Sequence, residues 1–385
     1  MTAKPSIYFD NNASAPLLDC VREAIAAALQ TDLANPGSSH GAGAQARALL
    51  EHARQQVAQL ASADFGQIVF CGSGTEANNQ VLKSIAAALP TGHRVLTSQI
   101  EHSSVLSACH WLESQSVPIA YSAVQRDGVV DLNFVEDALE GTVGLVSIQW
   151  VNNETGVIQP IQEIASLAKR RGAIVHCDAT QALGKLPFDD RLDQVDFLTV
   201  SGHKIHAPQG CGAIIAKDLR PLAPFIHGGD QESGRRGGTE NLLGIIGFGA
   251  AAQHRQENFA AIGAKLRLLR DHFESQVIGR LGDVVINGGT AARVANTANI
   301  GLAPMDGAAL VAQLDRNGVY CSQSSACTNS RPESSYVLRA MGLSESEAYG
   351  SIRFSFSELN TVAEIDSAVQ VMADLCSKLR LALGI

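Results

Sequence analysis

Hydrophobic positions follow two different periods in the first half of the chain, from Leu17 to about Val200. Short β-branched runs predict strands, and longer stretches with an apolar residue every three or four positions predict helices between them. The predicted strands are Gln67–Cys71, Arg94–Ser98, Pro118–Val124, Gly144–Val151, Ala173–Asp178 and Asp196–Val200. The predicted helices are Gly41–Ala61, Thr75–Leu89, Ser103–Ser114 and Ile161–Arg171. This alternation is typical of a mostly parallel, doubly wound α/β sheet that helices cover on both faces.

The second half of the chain shows a different order of elements. After the apolar run Gly212–Lys217 comes a loop rich in glycine and arginine, and a long helix is predicted from about Leu242 to Gln276. The strands predicted after it are Asp283–Ile286, Asn296–Leu302, Val319–Ser322 and Ser351–Phe356. The helices predicted among them are Gly307–Asn317, Pro332–Met341 and Val362–Leu383. We therefore expect a second, smaller α+β domain.

The composition is that of a folded protein of two domains. The 385 residues are 45% hydrophobic and 17% charged, which excludes a disordered chain. A net charge of −9 makes nucleic acid and anionic membranes unfavourable partners. Neither a secretory leader nor a bilayer-spanning run is visible, so we expect a soluble, cytoplasmic protein. The eight cysteines include no CxxC pair, which argues against a disulfide scaffold or a zinc module.

A glycine turn between a predicted strand and a predicted helix is the first candidate binding feature. It reads GSGTEAN over residues 72–78. Backbone N–H groups at the start of a helix, here at Gly74, bind anions such as phosphate, and Thr75 adds a hydroxyl donor. Ser73 and Glu76 also have the spacing of a capping box, so an ordinary helix start is the alternative.

A carboxylate and a lysine follow two neighbouring predicted strands. Asp178 ends one strand, and Lys204 comes just after the next, so both are expected at the same edge of the sheet. Pyridoxal phosphate needs a lysine amine for its aldehyde, a carboxylate for its ring nitrogen and an anion site for its phosphate. Lys204, Asp178 and the Gly74 turn supply all three. The alternative is a metal site with ligands drawn from His176, Asp178, His203 and His206, which leaves the glycine turn and Lys204 without a role.

Four further polar residues follow predicted strands or lie within one. His102 lies where it could stack on a flat ring, and Asn153 could bond a ring oxygen, although each also fits an ordinary turn. Cys327 lies in a polar loop of small residues, where a thiol is placed to act as a nucleophile or is merely exposed. Arg353 is a guanidinium among apolar strand neighbours and needs an anionic partner, either a structural carboxylate or a substrate carboxylate.

Taken together, these motifs resemble those of the cysteine desulfurases, a branch of the class V aminotransferase group. The matching segments occur in order along nearly the whole chain: YFDNNA, NPGSSH, GSGTEAN, EHSSVL, VNNETG, HCDATQ, SGHK, RGGTEN, SSACT and SIRFS. The resemblance implies a homodimer that removes sulfur from L-cysteine, leaves alanine and holds a persulfide. It also implies a large domain over residues 15–255 and a small domain built from residues 1–14 and 256–385.

The resemblance also implies a role for each matching residue. Lys204 would be the Schiff-base lysine, His102 would stack on the ring, and Cys327 would accept sulfur. In such a mechanism His102 is also the expected acceptor of a proton from the substrate thiol or from Cys327. Asn153 and Arg353 would bind the substrate carboxylate. The other expected cofactor contacts are Asp178 on the ring nitrogen, Gln181 on the ring oxygen, and Gly74, Thr75, Ser201, His203 and the partner subunit's Thr239 on the phosphate.

Two departures from the family pattern lie near the expected site. Ser14-Ala15 replaces two threonines, which removes one hydroxyl, and Gln323-Ser324 replaces a Ser-Gly pair before the nucleophile, which removes a glycine from its loop. The sulfur acceptor stays open between iron–sulfur assembly, tRNA thiolation and DNA sulfur modification. Alternative activities are those of an aminotransferase or a selenocysteine lyase, and a non-catalytic partner protein with this fold is a further alternative.

Overall fold

The computed structural model describes residues 6–31, 33–323 and 334–383. Within these ranges the strands β1–β13 are Ile7–Tyr8, Ile68–Cys71, Arg94–Ser98, Ile119–Ser122, Val143–Gln149, Ile174–Asp178, Phe197–Ser201, Gly212–Ala216, Val285–Ile286, Thr297–Gly301, Val319–Tyr320, Ser322–Gln323 and Ser351–Ser355. The helices α1–α12 are Asp19–Ala28, Gly41–Leu60, Gly74–Ala88, Ser103–Ser114, Leu132–Leu139, Ile161–Arg170, Leu242–Glu257, Phe259–Leu281, Gly307–Arg316, Tyr336–Ala340, Glu345–Tyr349 and Val362–Leu383.

A seven-stranded sheet forms the centre of the α/β part, with the strand order β2-β8-β7-β6-β5-β3-β4. Its strands are parallel except for β8, which runs antiparallel to both of its neighbours. Successive side chains enter two different apolar cores, as in β2, where Ile68 and Phe70 join one core and Val69 and Cys71 the other. Because both faces are apolar and covered by helices, the predicted doubly wound, mostly parallel fold is confirmed.

A four-stranded antiparallel sheet, β12-β13-β10-β9, has an apolar core of its own. Helices α8 and α12 pack against it, and the ring of Phe273 lies 4.7 Å from that of Phe354 and 5.3 Å from that of Phe356. Phe9, from the start of the chain, joins this core. These separate cores support the division of the chain into a large and a small domain at residues 15 and 255, and these domain boundaries stay a prediction.

Three sequence-based expectations differ from the observed elements. The single helix predicted over Leu242–Gln276 is wrong, because Asn258 leaves the helical conformation (φ −112°, ψ 13°) and separates α7 from α8. The strand predicted over Val319–Ser322 is two short strands that pair with different sheets. The elements β1, α1, α5 and α11 were not predicted.

No helix in the described ranges is both long and apolar enough to cross a membrane.

Candidate active site

All strands of the large sheet except β8 present their carboxyl ends at one edge, and the turns after β2, β3, β5, β6 and β7 lie at one place on it. Strands β3, β5, β6 and β7 are parallel neighbours, and β2 points the same way because both β2 and β7 pair antiparallel with β8. The turns after these strands and the β13 strand of the small sheet surround a cavity of about 480 Å³. This volume lies within the range of small-molecule and cofactor sites.

Most of the predicted site residues line this cavity. They are Gly74, Thr75, His102, Asn153, Asp178, Gln181, Ser201, His203, Lys204 and Arg353. Thr239 lies elsewhere, beside Gly72 and Arg236 in a small separate cavity, so its predicted contact with a partner's phosphate site stays a prediction. Cys327 lies outside the described residues.

The glycine turn has the geometry of a helix start with room for an anion. Ser73 caps α3 by accepting a hydrogen bond from the Glu76 N–H at 3.1 Å. Glu76 does not complete a capping box, since its carboxylate accepts from Gly72 N–H (2.8 Å) and pairs with Arg236 (3.0 Å). A Cβ atom on Gly74 would lie 3.0 Å from the Thr180 hydroxyl, so glycine allows this close approach.

The carboxylate and the lysine are each held by specific bonds. Asp178 Oδ2 accepts from Asn78 Nδ2 (2.8 Å), and Oδ1 accepts from the Thr180 N–H (2.9 Å). Lys204 Nζ donates to the carbonyl oxygens of Asn12 (2.6 Å) and Ala13 (2.7 Å). Bonds of this kind orient both groups at the cavity, because an ionised carboxylate only accepts and an ammonium only donates.

Two histidines of the site favour the neutral form. Burial lowers the pKa of His203 to about 4, and the neighbouring Lys204 and His102 act in the same direction. Burial also lowers the pKa of His102, partly opposed by Asp178. His203 Nδ1 lies 3.2 Å from the Ser14 hydroxyl, so the residue that replaces one of the family's threonines still contacts the site.

The predicted substrate residue Arg353 already has partners within the protein. Its Nη2 atom donates to Asp10 (2.8 Å) and its Nη1 atom to the Asn153 carbonyl (3.1 Å). Its buried Nε atom has no hydrogen-bond partner among the described residues, nor has Oδ1 of Asn153. Both unpartnered atoms belong to residues of the cavity and fit a polar ligand there.

Sequence reasoning missed the residues that support this site. Asn12 accepts from both Lys204 and Gln181 through its carbonyl oxygen, and Asp10 pairs with Arg353. Both lie in the YFDNNA segment, whose run of short polar side chains was the available signal. The hydroxyl of Thr180 is buried with no partner among the described residues, which also fits a ligand.

The metal alternative finds no support in the geometry. Among the residues of the described ranges, no group of three or more His, Cys, Asp or Glu side chains is arranged to hold a metal ion. His176 lies between the hydroxyls of Ser147 and Thr199, and His206 Nδ1 lies 2.6 Å from the Pro16 carbonyl. These two predicted ligands therefore have other partners.

Glu101 is a fully buried acid next to His102. Burial raises the pKa of Glu101 from 4.5 to about 8, against the opposing effect of the Ser98 hydroxyl. Its other oxygen accepts from the Gln149 N–H at 2.8 Å. The folded protein therefore favours the protonated acid, which the Ser98 and Gln149 contacts accommodate.

We expect Glu101→Gln to flatten the pH dependence of stability. Because its folded-state pKa is raised, the Glu101 carboxyl contributes its full stabilisation of the folded state below about pH 4.5, and this contribution is lost as the pH rises to about 8. The amide keeps both hydrogen bonds and does not titrate, so by pH 8 the variant should gain on the order of 3 kcal/mol relative to wild type. Urea unfolding at pH 5 and pH 8 measures this, with the exposed Glu136→Gln as control. Equal pH slopes for Glu101→Gln and wild type would contradict the expectation.

Comparisons with known proteins agree with the fold. Residues 7–368 match the family described as Aminotransferase class-V. A cysteine desulfurase from Nostoc sp. is 41% identical over 374 residues, covering 97% of this chain and 94% of that protein. A solved NifS-like protein superimposes with a TM-score of 0.90 at 32% identity and covers 97% of this chain and 99% of its own. The structure of SspA in complex with cysteine has a TM-score of 0.81 at 32% identity, covering 91% and 99%.

The doubly wound sheet and the polar cavity at its edge thus define a class V aminotransferase, and the chain belongs to that family. Within the family it belongs to the cysteine desulfurases. This confirms the resemblance inferred from the sequence motifs.

Proposed function

We propose that this enzyme uses pyridoxal 5′-phosphate to remove sulfur from L-cysteine, giving L-alanine and a persulfide on Cys327. The observation that carries the proposal is one cavity that holds Lys204, Asp178, the Gly74 turn and Arg353 together. A lysine, a carboxylate, an anion site and a free guanidinium donor are the groups that this cofactor and an amino-acid carboxylate require.

The residues of the cavity fit the cofactor. The unpartnered Thr180 hydroxyl and the close approach that Gly74 permits leave donors beside the helix start for a phosphate, together with Thr75, Ser201 and His203. Asp178 would hold the ring nitrogen protonated, His102 would stack on the ring, and Gln181 and Asn153 would face its oxygen. When bound, pyridoxal phosphate supplies an electron sink for negative charge on the substrate carbon.

Different residues of the chain then carry out the separate steps of the reaction. Lys204 Nζ takes the proton from the substrate Cα and returns it, and Arg353 orients the substrate carboxylate. The Cys327 thiolate attacks the cysteine sulfur and forms the S–S bond. As the C–S bond breaks, its electron pair stays with the three-carbon skeleton, which gains protons and leaves as alanine.

The proposal is tested by incubating the enzyme, loaded with pyridoxal phosphate, with L-cysteine and a thiol reductant. Alanine and sulfide should form in equal amounts. 3-Mercaptopyruvate formed only with a keto-acid acceptor would indicate an aminotransferase. Turnover of L-selenocysteine in a parallel incubation, with none of L-cysteine, would indicate a selenocysteine lyase. Absence of any product would support a non-catalytic partner protein.

Arg353→Lys is expected to lower kcat/KM for L-cysteine by about 10- to 100-fold, because lysine keeps the charge but loses the paired geometry. The effect should appear mainly in KM. Steady-state kinetics measure it, with Arg293→Lys as control, since Arg293 has its own carboxylate partner in Glu274. Unchanged kinetics in Arg353→Lys would remove the substrate role.

We also propose a homodimer in which Thr239 completes the partner's phosphate site. The loop that carries Thr239 is anchored by Arg236 on Glu76 and by the buried pair of Glu232 with Arg54 (2.6 Å), which holds it beside the glycine turn. A monomeric mass in light scattering with full activity would contradict this. We expect the persulfide sulfur to pass to an acceptor protein.

A reducing compartment is proposed for the enzyme, consistent with a cytoplasmic location. Cys20, Cys71, Cys109, Cys177, Cys211, Cys321 and Cys376 are free thiols in the described ranges. Structural disulfides are rare in such a compartment. Cell fractionation tests the location.

A further inference from the structure

A buried chain of hydrogen bonds joins Asp178 to His102. Asn78, which is 1% exposed, donates one Nδ2 hydrogen to Asp178 Oδ2 (2.8 Å) and the other to the Ser104 hydroxyl (2.9 Å). The Ser104 hydroxyl in turn lies 2.8 Å from His102 Nδ1. Each of these contacts is within the range of a good hydrogen bond.

The direction of the bonds at Asn78 follows from the chemistry of its partners. An ionised Asp178 carboxylate only accepts, so the amide nitrogen of Asn78 must face it. The amide oxygen then faces Thr199, whose hydroxyl donates to it. The Thr199 oxygen is left to accept from His176 Nε2 (3.1 Å), and His176 Nδ1 accepts from the Ser147 hydroxyl (2.8 Å). Burial lowers the pKa of His176 to about 4, and a neutral ring suits this arrangement.

The same reasoning fixes the direction at His102. The Ser104 oxygen accepts from Asn78, so its own hydrogen is free to donate to Nδ1 of His102. The backbone N–H of Ser104 also donates to that atom, at 3.2 Å, as a helix cap. With two donors directed at it, Nδ1 carries no hydrogen in the neutral ring, and Nε2 must carry it.

We infer that Asp178, acting through Asn78 and Ser104, holds neutral His102 as the tautomer with its hydrogen on Nε2. Asn78 and Ser104 are thus positioning residues. The charged and titratable groups that act on this ring are Asp178, Lys204 and His203. They affect its charge, whereas the hydrogen-bond chain selects its tautomer.

The tautomer changes the role expected of His102, a consequence that rests on the proposed function. The basic lone pair of the neutral ring is at Nδ1 and is bonded to Ser104, while Nε2 offers an N–H group. Neutral His102 therefore enters the reaction as a donor. The sequence-based expectation that it accepts a thiol proton requires a change of tautomer first.

Nitrogen-15 NMR of the full-length enzyme with labelled histidine tests the inference, with and without added pyridoxal phosphate. The His102 ring resonances are those absent from His102→Gln. Wild type should carry hydrogen on Nε2. Ser104→Ala removes one hydrogen bond to the neutral ring. The ratio of the Nδ1–H to the Nε2–H tautomer should therefore rise about fivefold, and the acid dissociation constant of the His102 ring should fall about fivefold, which raises its pKa.

Two control variants complete the experiment. Ser104→Thr retains the hydroxyl and should restore the wild-type spectrum, and Ser103→Ala on the same helix should leave it unchanged. Hydrogen on Nδ1 in wild type overturns the inference, whether or not the variants fold, and so does a wild-type spectrum in folded Ser104→Ala. Because the readout is independent of turnover, an inactive enzyme with hydrogen on Nε2 would refute the proposed function alone.

Discussion

Replacing Lys204 with alanine is expected to lower the rate of alanine formation from L-cysteine by about 10³-fold or more. The carbonyl oxygens of Asn12 and Ala13 hold Lys204 Nζ at the cavity, so one substitution would remove both the proposed covalent attachment for the cofactor and the amine proposed to move the Cα proton. The visible absorbance of the purified protein before and after borohydride reduction measures the attachment, and steady-state assays measure the rate.

Lys185 provides an internal control in the same experiment. It is a second half-buried lysine near the site, and its Nζ atom donates to Gln181 Oε1 at 2.7 Å. Burial, reinforced by Arg255 and Lys204, holds the pKa of Lys185 well below its usual range. Mass spectrometry after reduction should place the cofactor on residue 204 alone. A label on Lys185, or a covalent label retained in Lys204→Ala, would show that the lysine is wrongly assigned.

Replacing Cys327 with serine is expected to lower sulfide release by about 10³-fold, with cofactor binding retained. A serine hydroxyl is a far weaker nucleophile toward sulfur than a thiolate, so the persulfide cannot form. Addition of L-cysteine should still change the visible spectrum, since Lys204, Asp178 and Arg353 are intact. A sulfide assay with a reductant measures sulfur transfer, and the visible spectrum of the same sample measures the reaction of L-cysteine with the cofactor.

The matched control for this variant is Cys321→Ser. Cys321 lies six positions earlier in the chain, and burial, with a smaller effect of Asp10, raises its pKa, which makes it a poor nucleophile. This variant should retain the wild-type rate. If Cys327→Ser instead turned over like wild type, a lyase that expels sulfur without a protein persulfide would become the better interpretation.

Local sequence signals predicted much of the fold because they act over short distances. The bounds of β3, α4 and α12 were predicted to the residue. The break at Asn258 was missed because neither glycine nor proline marks it in the sequence, whereas the Asn258 side chain donates to the His254 carbonyl at 3.0 Å. Asparagine competes in this way with the helical backbone, an effect that periodicity does not register.

The candidate residues themselves could be named from the sequence. Asp178, Lys204, His102 and Asn153 each follow an apolar strand, and parallel strands bring such positions to one edge. The sequence by itself therefore determined the fold class, the family and part of the lining of the cavity, because these depend on the order of elements and on residue type.

Only the tertiary structure decided how the side chains of the site are bonded. The pairing of Arg353 with Asp10 joins positions 343 residues apart, and Asn78 contacts both Asp178 and Ser104. Such contacts depend on the order of the strands in the sheet and on the three-dimensional position of each turn, and local periodicity does not predict either. The protonation of Glu101 and the tautomer of His102 likewise follow from burial and from bond direction, and these exist only once the chain has folded.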